Sequence, residues 1–281
     1  SILFNISEMF YATWFLIRIL SKCKILSYSE TINFVCSYFQ KKGIQKCQNI
    51  FFYGCSKDFC QLLDKIGFKG KYHNLPIPMI IPNYFKNTDE YKQSKYYSLF
   101  KKIREENEFI IFHHARQAWS NVPNRWTQKR NDILFKGFAI FTKQYPNYAK
   151  KSKIICFEYG PNILDSKNLI RELGLDNYII WLPLMQRKDI MVGINTCCDI
   201  GAFEFGNTWL TGGTLYEFLS QGIPVMQYFD EKDLPEVPES IYPIIPSNTP
   251  EEICESLRKY FKERKTLKKL GALGKQWYYK N

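Results

Sequence analysis

Histidine is scarce in this chain: three occur in 281 residues, two of them adjacent (His113 and His114), and there is no C-x-x-C pair and no D-x-D triplet. A mononuclear metal centre therefore has few ligands to draw on, and no bound metal or cofactor is expected. The nine cysteines are odd in number and scattered, which speaks against a disulfide framework and for a reducing, cytoplasmic compartment. No apolar run reaches the roughly 20 residues that a membrane-spanning helix needs. The most apolar stretch, residues 9–20, is twelve residues long, contains Arg18 and follows Glu8, so it reads as a core helix with an interfacial helix as the alternative. No signal-peptide pattern is visible. The chain opens at Ser1 without Met, inside what reads as an ongoing element, as a chain truncated at its start would. Internal repeats and low-complexity segments are absent as well.

What is abundant is apolar and basic. Hydrophobic residues make up 45% and aromatic residues 17% of the chain, enough for a buried core, which excludes disordered and collagen-like chains. Lys and Arg number 39 against 27 Asp and Glu, a net charge of +12. Much of that charge falls near the C-terminus (Arg258, Lys259, Lys262, Arg264, Lys265), where it reads as a solvated helix surface. An anionic membrane or a nucleic acid is the alternative partner for it. No recognised nucleic-acid motif accompanies the charge, so no nucleic-acid partner is expected.

At about 150 residues per domain the length corresponds to just under two domains. From Glu108 onward, short β-branched and aromatic runs (109–112, 153–157, 178–181, 199–203, 223–227 and, weaker, 242–245) alternate with helical patterns near 131–144, 165–172, 187–195 and 214–221. That alternation is the mark of βαβ units and a parallel sheet, and near-continuous apolarity within the runs fits strands covered on both faces. Thr249-Pro250-Glu251-Glu252 announces a further helix, with a hydroxyl at the N-cap and proline at the first helical position. Upstream, 49–53 reads as a strand, 57–66 as a helix and 71–81 as a strand or extended exit, the tail of another α/β unit. The polar stretch 87–107 reads as an inter-domain connection. The expectation is an α/β chain: residues 1–100 as a partial N-terminal α/β domain with its linker, and 101–281 as a doubly wound, Rossmann-like C-terminal domain.

In an open parallel sheet, ligands bind outside the carboxyl ends of the strands, so the residues that follow each run carry the chemistry. Those are His113-His114-Ala115-Arg116, Glu158-Tyr159-Gly160-Pro161, Leu182-Pro183-Leu184-Met185, and the Gly-rich stretch from Glu204 to Gly213. Gly212-Gly213-Thr214 at a helix start suits a diphosphate, because glycine lets the backbone approach and unpaired amides point outward; an ordinary tight turn is the alternative. Glu217 is either a ligand-binding carboxylate or the end of a Thr214-x-x-Glu217 capping box. The histidine pair reads as two side chains at a strand end, one facing each way. Arg116 and Lys129 are the candidate cations.

Residues 111–225 resemble the donor-binding C-terminal domain of GT-B glycosyltransferases, specifically family 4, the retaining group 1 enzymes. The resemblance rests on His113-His114-Ala115-Arg116, on Lys129-Arg130-Asn131-Asp132 opening a helix, on 168–175 ahead of a strand, and on 213–225. The last segment is similar to the family's Glu-Ala-x-small-x-Gly-x-Pro-Val signature, with Phe218 in place of Ala. The resemblance implies a retaining transfer of a sugar from a nucleotide-sugar donor to a hydroxyl of a glycan or lipid-linked acceptor. It implies Arg116 and Lys129 on the donor diphosphate as catalytic groups and Glu217 on the ribose. Gly212, Gly213, Thr214 and Leu215 would lie on phosphate or sugar, and Leu184 and Met185 on the base. A metal-independent reaction is implied too, in the cytoplasm or at the inner membrane face with peripheral membrane association.

Three departures stand out. Trp209 occupies the position of the first glutamate in the family's E-x7-E motif, with Glu204 close but out of register. Residues 117–128, including Trp119 and Trp126, look like an insertion between Arg116 and Lys129. The front of the N-terminal domain is not recognisable, so the chain by itself is expected to be inactive. A catalytically silent nucleotide-sugar or phospho-ligand binding module is the alternative reading.

Overall fold

Five consecutive residues, Phe109 to His113, are fully buried, and their neighbours in sequence alternate strictly between two separate cores. Phe109 and Ile111 enter one core, Ile110 and Phe112 the other, as the period of two in a strand requires. That strand is the centre of a parallel sheet with helices on both faces. The computed structural model describes residues 28–52, 57–74, 84–85, 88–122, 127–234 and 240–281, and the chain divides into two compact units, residues 1–75 and 76–281. Residues 9–20, Tyr53, Pro76, Pro78 and Trp126 lie outside the described residues.

In the first unit, helix α1 (Tyr28–Lys46) precedes strand β1 (Asn49–Phe52), helix α2 (Lys57–Lys65) and strand β2 (Lys71–Asn74). The two strands pair in parallel, Asn49 opposite Lys71 and Phe52 opposite Asn74. Helix α2 puts Cys60 and Leu63 on its buried side.

The second unit opens with α3 (Thr88–Lys92) and α4 (Tyr97–Glu106), so the polar stretch read as a connection carries two helices. Helix α4 buries Phe100 and Ile103, three residues apart on one face, and closes the core on that side of the sheet. There follow β3 (Phe109–His113), α5 (Asn131–Gln144), α6 (Pro146–Ala149), β4 (Ser152–Phe157), α7 (Ile163–Glu172), β5 (Ile179–Leu182), α8 (Arg187–Cys197), β6 (Ile200–Ala202), α9 (Gly213–Gln221), β7 (Val225–Gln227), β8 (Ile244–Pro246), α10 (Pro250–Lys262) and α11 (Arg264–Lys280). Side chains of α5, α7 and α10 fill one core, those of α4, α8 and α9 the other. Thr249 caps α10 as its sequence announces, its hydroxyl accepting from the Glu252 amide at 3.2 Å.

The sheet order is β5-β4-β3-β6-β7-β8, all parallel. The chain winds outward from β3 through β4 to β5, then returns to the other side of β3 and winds outward again through β6. Loops leaving β3 and β6 therefore diverge, and the crevice between them is the topological switch point of a doubly wound sheet. Among the described residues, no helix is long and apolar enough to cross a membrane.

Candidate functional site

At the switch point the loop after β3 carries His114 to Arg116, and the loop after β6 carries Phe203 to Gly212. Asn131, the first residue of α5, braces the first of these. Its Oδ1 accepts from the Ala118 amide at 3.0 Å, and its Nδ2 reaches the Arg116 carbonyl at 3.3 Å and His113 Nε2 at 2.7 Å. Arg130, just before, is left-handed (φ 50°), which turns the chain so that Lys129 faces the crevice while Asn131 starts the helix. The Lys129 amide donates to the Ala118 carbonyl, and the Lys129 carbonyl accepts from the Phe205 amide at 3.0 Å. Both loops are thus sewn to residue 129.

The two histidines face opposite ways, as expected of neighbours at a strand end. His113 turns to the α5 core, its ring against Phe135 and Phe205, its Nδ1 on the Ala202 carbonyl at 3.0 Å. Burial lowers its pKa to about 4, so the ring is neutral and donates from Nδ1 while Nε2 accepts from Asn131. The unfolded chain, with an ordinary value near 6.5, binds a proton that the folded chain refuses. Stability is therefore full above pH 6.5 and falls as the pH drops from 6.5 towards 4, by about 3 kcal/mol for this one group. Denaturant unfolding between pH 7.5 and 4.5 checks this: His113→Gln should remove most of that slope, and an equal slope in both proteins would contradict it.

His114 turns to the other core, its ring 4.8 Å from that of Phe218, and its Nε2 lies 2.6 Å from Glu217 Oε2. Both side chains are almost completely buried. Arg187, the first residue of α8, places Nε 3.0 Å from Glu217 Oε1 as an ion pair, but not along an N–H bond, so Oε1 accepts no hydrogen bond. Glu217 is thus not part of a capping box. Helix α9 begins at Gly213 with Gly212 as its N-cap, which puts Thr214 inside the helix and turns the carboxylate to His114. Gly212 has φ +151°, and a Cβ there would stand 3.0 Å from the Phe203 ring, so glycine alone fits this turn. The first intrahelical bond runs from the Tyr216 amide to the Gly212 carbonyl, leaving the amides of Gly213, Thr214 and Leu215 ahead of the ladder. The Leu215 side chain lies in the core, so only its backbone is offered to a ligand.

Arg116 and Lys129 come together around Glu204. Lys129 Nζ is ion-paired with Glu204 Oε1, and the Arg116 charge also acts on that carboxylate. Burial nevertheless pushes the Glu204 pKa above the ordinary carboxylate value, against both cations. Arg116 Nη2 donates to the Thr127 carbonyl at 3.3 Å. After β5, Met185 is buried while Leu184 is exposed, and both line a cleft of about 640 Å³ with Phe85, Tyr96, Lys188 and Asp189. Arg116, Lys129 and Glu217 do not line that cleft; Arg187, which pairs with Glu217, lies two residues beyond Met185 in the chain.

Among the described residues, five buried side-chain atoms make no hydrogen bond: His114 Nδ1, Arg116 Nε, Gln117 Nε2, Thr211 Oγ1 and Glu217 Oε1, the last of them ion-paired with Arg187. All lie on the loops after β3 and β6 or on the helix that the second loop feeds. Such groups are rare in folded proteins, and each calls for a partner from outside the chain, a ligand, an ion or an ordered water. Sequence reading did not single out Arg187 or Thr211, and it left Glu204 out of register. Arg187 stands two residues beyond Met185, at the end of the segment after β5, and that was the available signal.

No protein-family model matches the chain, and no curated protein matches it in sequence. By structure it is similar to the sucrose-phosphate synthase of Thermosynechococcus elongatus (11% identity, TM-score 0.58, over 89% of this chain and 57% of that one). Anabaena HepE in complex with UDP and glucose is similar at 15% identity and TM-score 0.55, over 81% of this chain and 58% of that one. The pneumococcal O-GlcNAc transferase GtfA in complex with UDP and GlcNAc is similar at 14% identity and TM-score 0.55, over 86% and 44%. The chain spans about half the length of these solved structures. The likeness defines the fold: α/β with a parallel six-stranded sheet, as in GT-B glycosyltransferases.

Proposed function

We propose that this chain holds a nucleotide-sugar donor at the switch point and serves its transfer, with retention of configuration, to a hydroxyl of a glycan or lipid-linked acceptor. The observation that carries the reading is the set of five buried polar atoms without a hydrogen bond on the loops after β3 and β6 and on α9, the segments that carry Arg116 and the α9 amides. In this reading Arg116 and Lys129 lie on the diphosphate. Its negative charge grows as the sugar departs, so fixed cations stabilise the transition state more than the ground state. The amides of Gly213, Thr214 and Leu215, at the positive end of α9, add to that field, and Gly212 lets the phosphate approach. Glu217 Oε1, backed by His114, accepts from ribose hydroxyls, while Leu184 and Met185 flank the base. The charge stabilisation comes from side chains and amides, so the reaction is proposed to need no bound metal, in the cytoplasm or at the inner membrane face.

Trp209, standing where the family's motif has its first glutamate, favours one second reading: a module that binds the donor without turning it over. Calorimetry with UDP-, GDP- and ADP-sugars, paired with a donor-hydrolysis and transfer assay, tests both. Binding with turnover supports the transferase, and binding without it the silent module. Absence of binding to every nucleotide sugar refutes both.

A further inference from the structure

Glu204 is a carboxylate in an unusual position for a diphosphate site. It is buried, only 8% exposed, and it faces inward from the loop after β6 onto the same Lys129 that the donor phosphates would need. Its surroundings can be enumerated from each element packed on it. Lys129 comes from the turn before α5, Arg116 from the loop after β3, and Tyr242 from the segment before β8, whose hydroxyl is already given to Gln227 Oε1 at 3.0 Å. The loop cannot swing the carboxylate away: the Phe203 amide is bonded to Met226, the Phe205 amide to Lys129, and the Glu204 carbonyl accepts from Tyr228 at 2.8 Å. Two cations thus serve one fixed anion, and a diphosphate would add further negative charge in a place sheltered from water. Like charges sharing such a site cannot all stay ionised, and the group that can take a proton does so.

We propose that Glu204 takes up one proton when the diphosphate of a donor enters, ceding Lys129 to the phosphate oxygens and remaining in place as a neutral carboxylic acid. The proton comes from solvent, and no bond other than the O–H of Glu204 is made. This rests on the donor-site reading above and adds a consequence which that reading does not require. A carboxyl whose pKa burial has already raised needs little further push. Because the complex holds a proton that the free chain lacks, donor affinity falls as the pH rises above the free-state value, by up to about tenfold per pH unit.

The test is calorimetry of the whole chain with UDP-glucose, GDP-mannose and ADP-glucose, whose diphosphate esters do not titrate near neutrality, in buffers of differing ionisation enthalpy. Wild type should take up close to one proton per donor bound. Glu204→Gln should take up none and should lose the pH dependence, binding more tightly than wild type at high pH because the competing anion is gone. Equal proton counts in the two proteins overturn the proposal while leaving the donor site standing. Failure of both to bind any of the three sugars removes the site and the proposal together. Infrared difference spectra of wild type on donor addition give a second readout independent of the variant: a protonated-carboxyl band must appear, and its absence also overturns the proposal.

Discussion

Replacing Lys129 with methionine is expected to slow any transfer by about 10²–10³-fold, the usual cost of removing one preorganised charge-stabilising donor, and to weaken nucleotide-sugar binding by less, because the charge on the diphosphate is greater in the transition state. Arg116→Ala should fall in the same range, and Arg116→Lys should recover little, because an ammonium cannot reproduce the two-pronged geometry of a guanidinium on phosphate oxygens. The two positions differ in what else they hold. Lys129 is the ion-pair partner of a buried carboxylate, so its loss leaves Glu204 without that pair and with only the more distant charge of Arg116. Breaking a buried pair on one side costs about 3–5 kcal/mol, with the upper figure capped here because Glu204 can protonate instead. A fold left undisturbed by Lys129→Ala is therefore not expected. The informative variant is the pair Lys129→Met with Glu204→Gln, which removes both charges and should regain most of the stability but none of the cation's contribution to binding. Thermal unfolding and donor titration on the same samples separate the two effects. Donor affinity near wild type in both Arg116→Ala and the double variant would take the diphosphate away from this rim.

The parallel sheet was legible because its central strands are apolar runs buried on both faces, and periodicity reports burial directly, while the edge strands β5 and β8 are partly exposed. Helix α5 begins and ends where its sequence predicts, at Asn131 and Gln144. The candidate site was legible in part through one rule, that ligands gather beyond strand carboxyl ends, which picked out Arg116 and the loop leading to Glu217 without knowing which strands are neighbours, while Lys129 came from the resemblance of 129–132. What sequence could not supply is pairing across the fold. Thr214-x-x-Glu217 has the spacing of a capping box, but the helix starts one residue before Thr214, and a carboxylate 103 positions from His114 in the chain bonds to it. Glu204 was out of register for a motif counted along the chain, yet the loop geometry delivers it to Lys129, 75 positions away. Helix α4 was missed because its polar residues outnumber the two, Phe100 and Ile103, that fix it to the core.

Phe218→Ala is expected to be among the most destabilising single changes in the chain, although it restores the alanine usual in the signature that this segment resembles. Phe218 is fully buried, with its ring in edge contact with Phe112 and 4.8 Å from His114. Truncating such a ring costs about 3–5 kcal/mol, because the walls of the cavity relax only in part. At about 2–4 °C per kcal/mol for a unit of this size, the Tm should drop by roughly 10 °C. The compensation that makes Phe218 tolerable lies across the core in β6: a Cβ on Gly201 would stand 2.6 Å from the ring, so glycine there and phenylalanine here are one choice made twice. Gly201→Ala alone overpacks the same spot and should cost about 1–3 kcal/mol. In the Gly201→Ala, Phe218→Ala double variant the new methyl enters the space left by the ring, so the loss should be smaller than the sum of the singles by about 1 kcal/mol or more. Simple additivity would show that the two positions do not share that space. The same cycle reads out function. Phe218 walls in the His114 ring that holds Glu217 Oε2, so Phe218→Ala should weaken donor binding beyond its effect on folding, and the double variant should recover part of the stability without recovering the affinity.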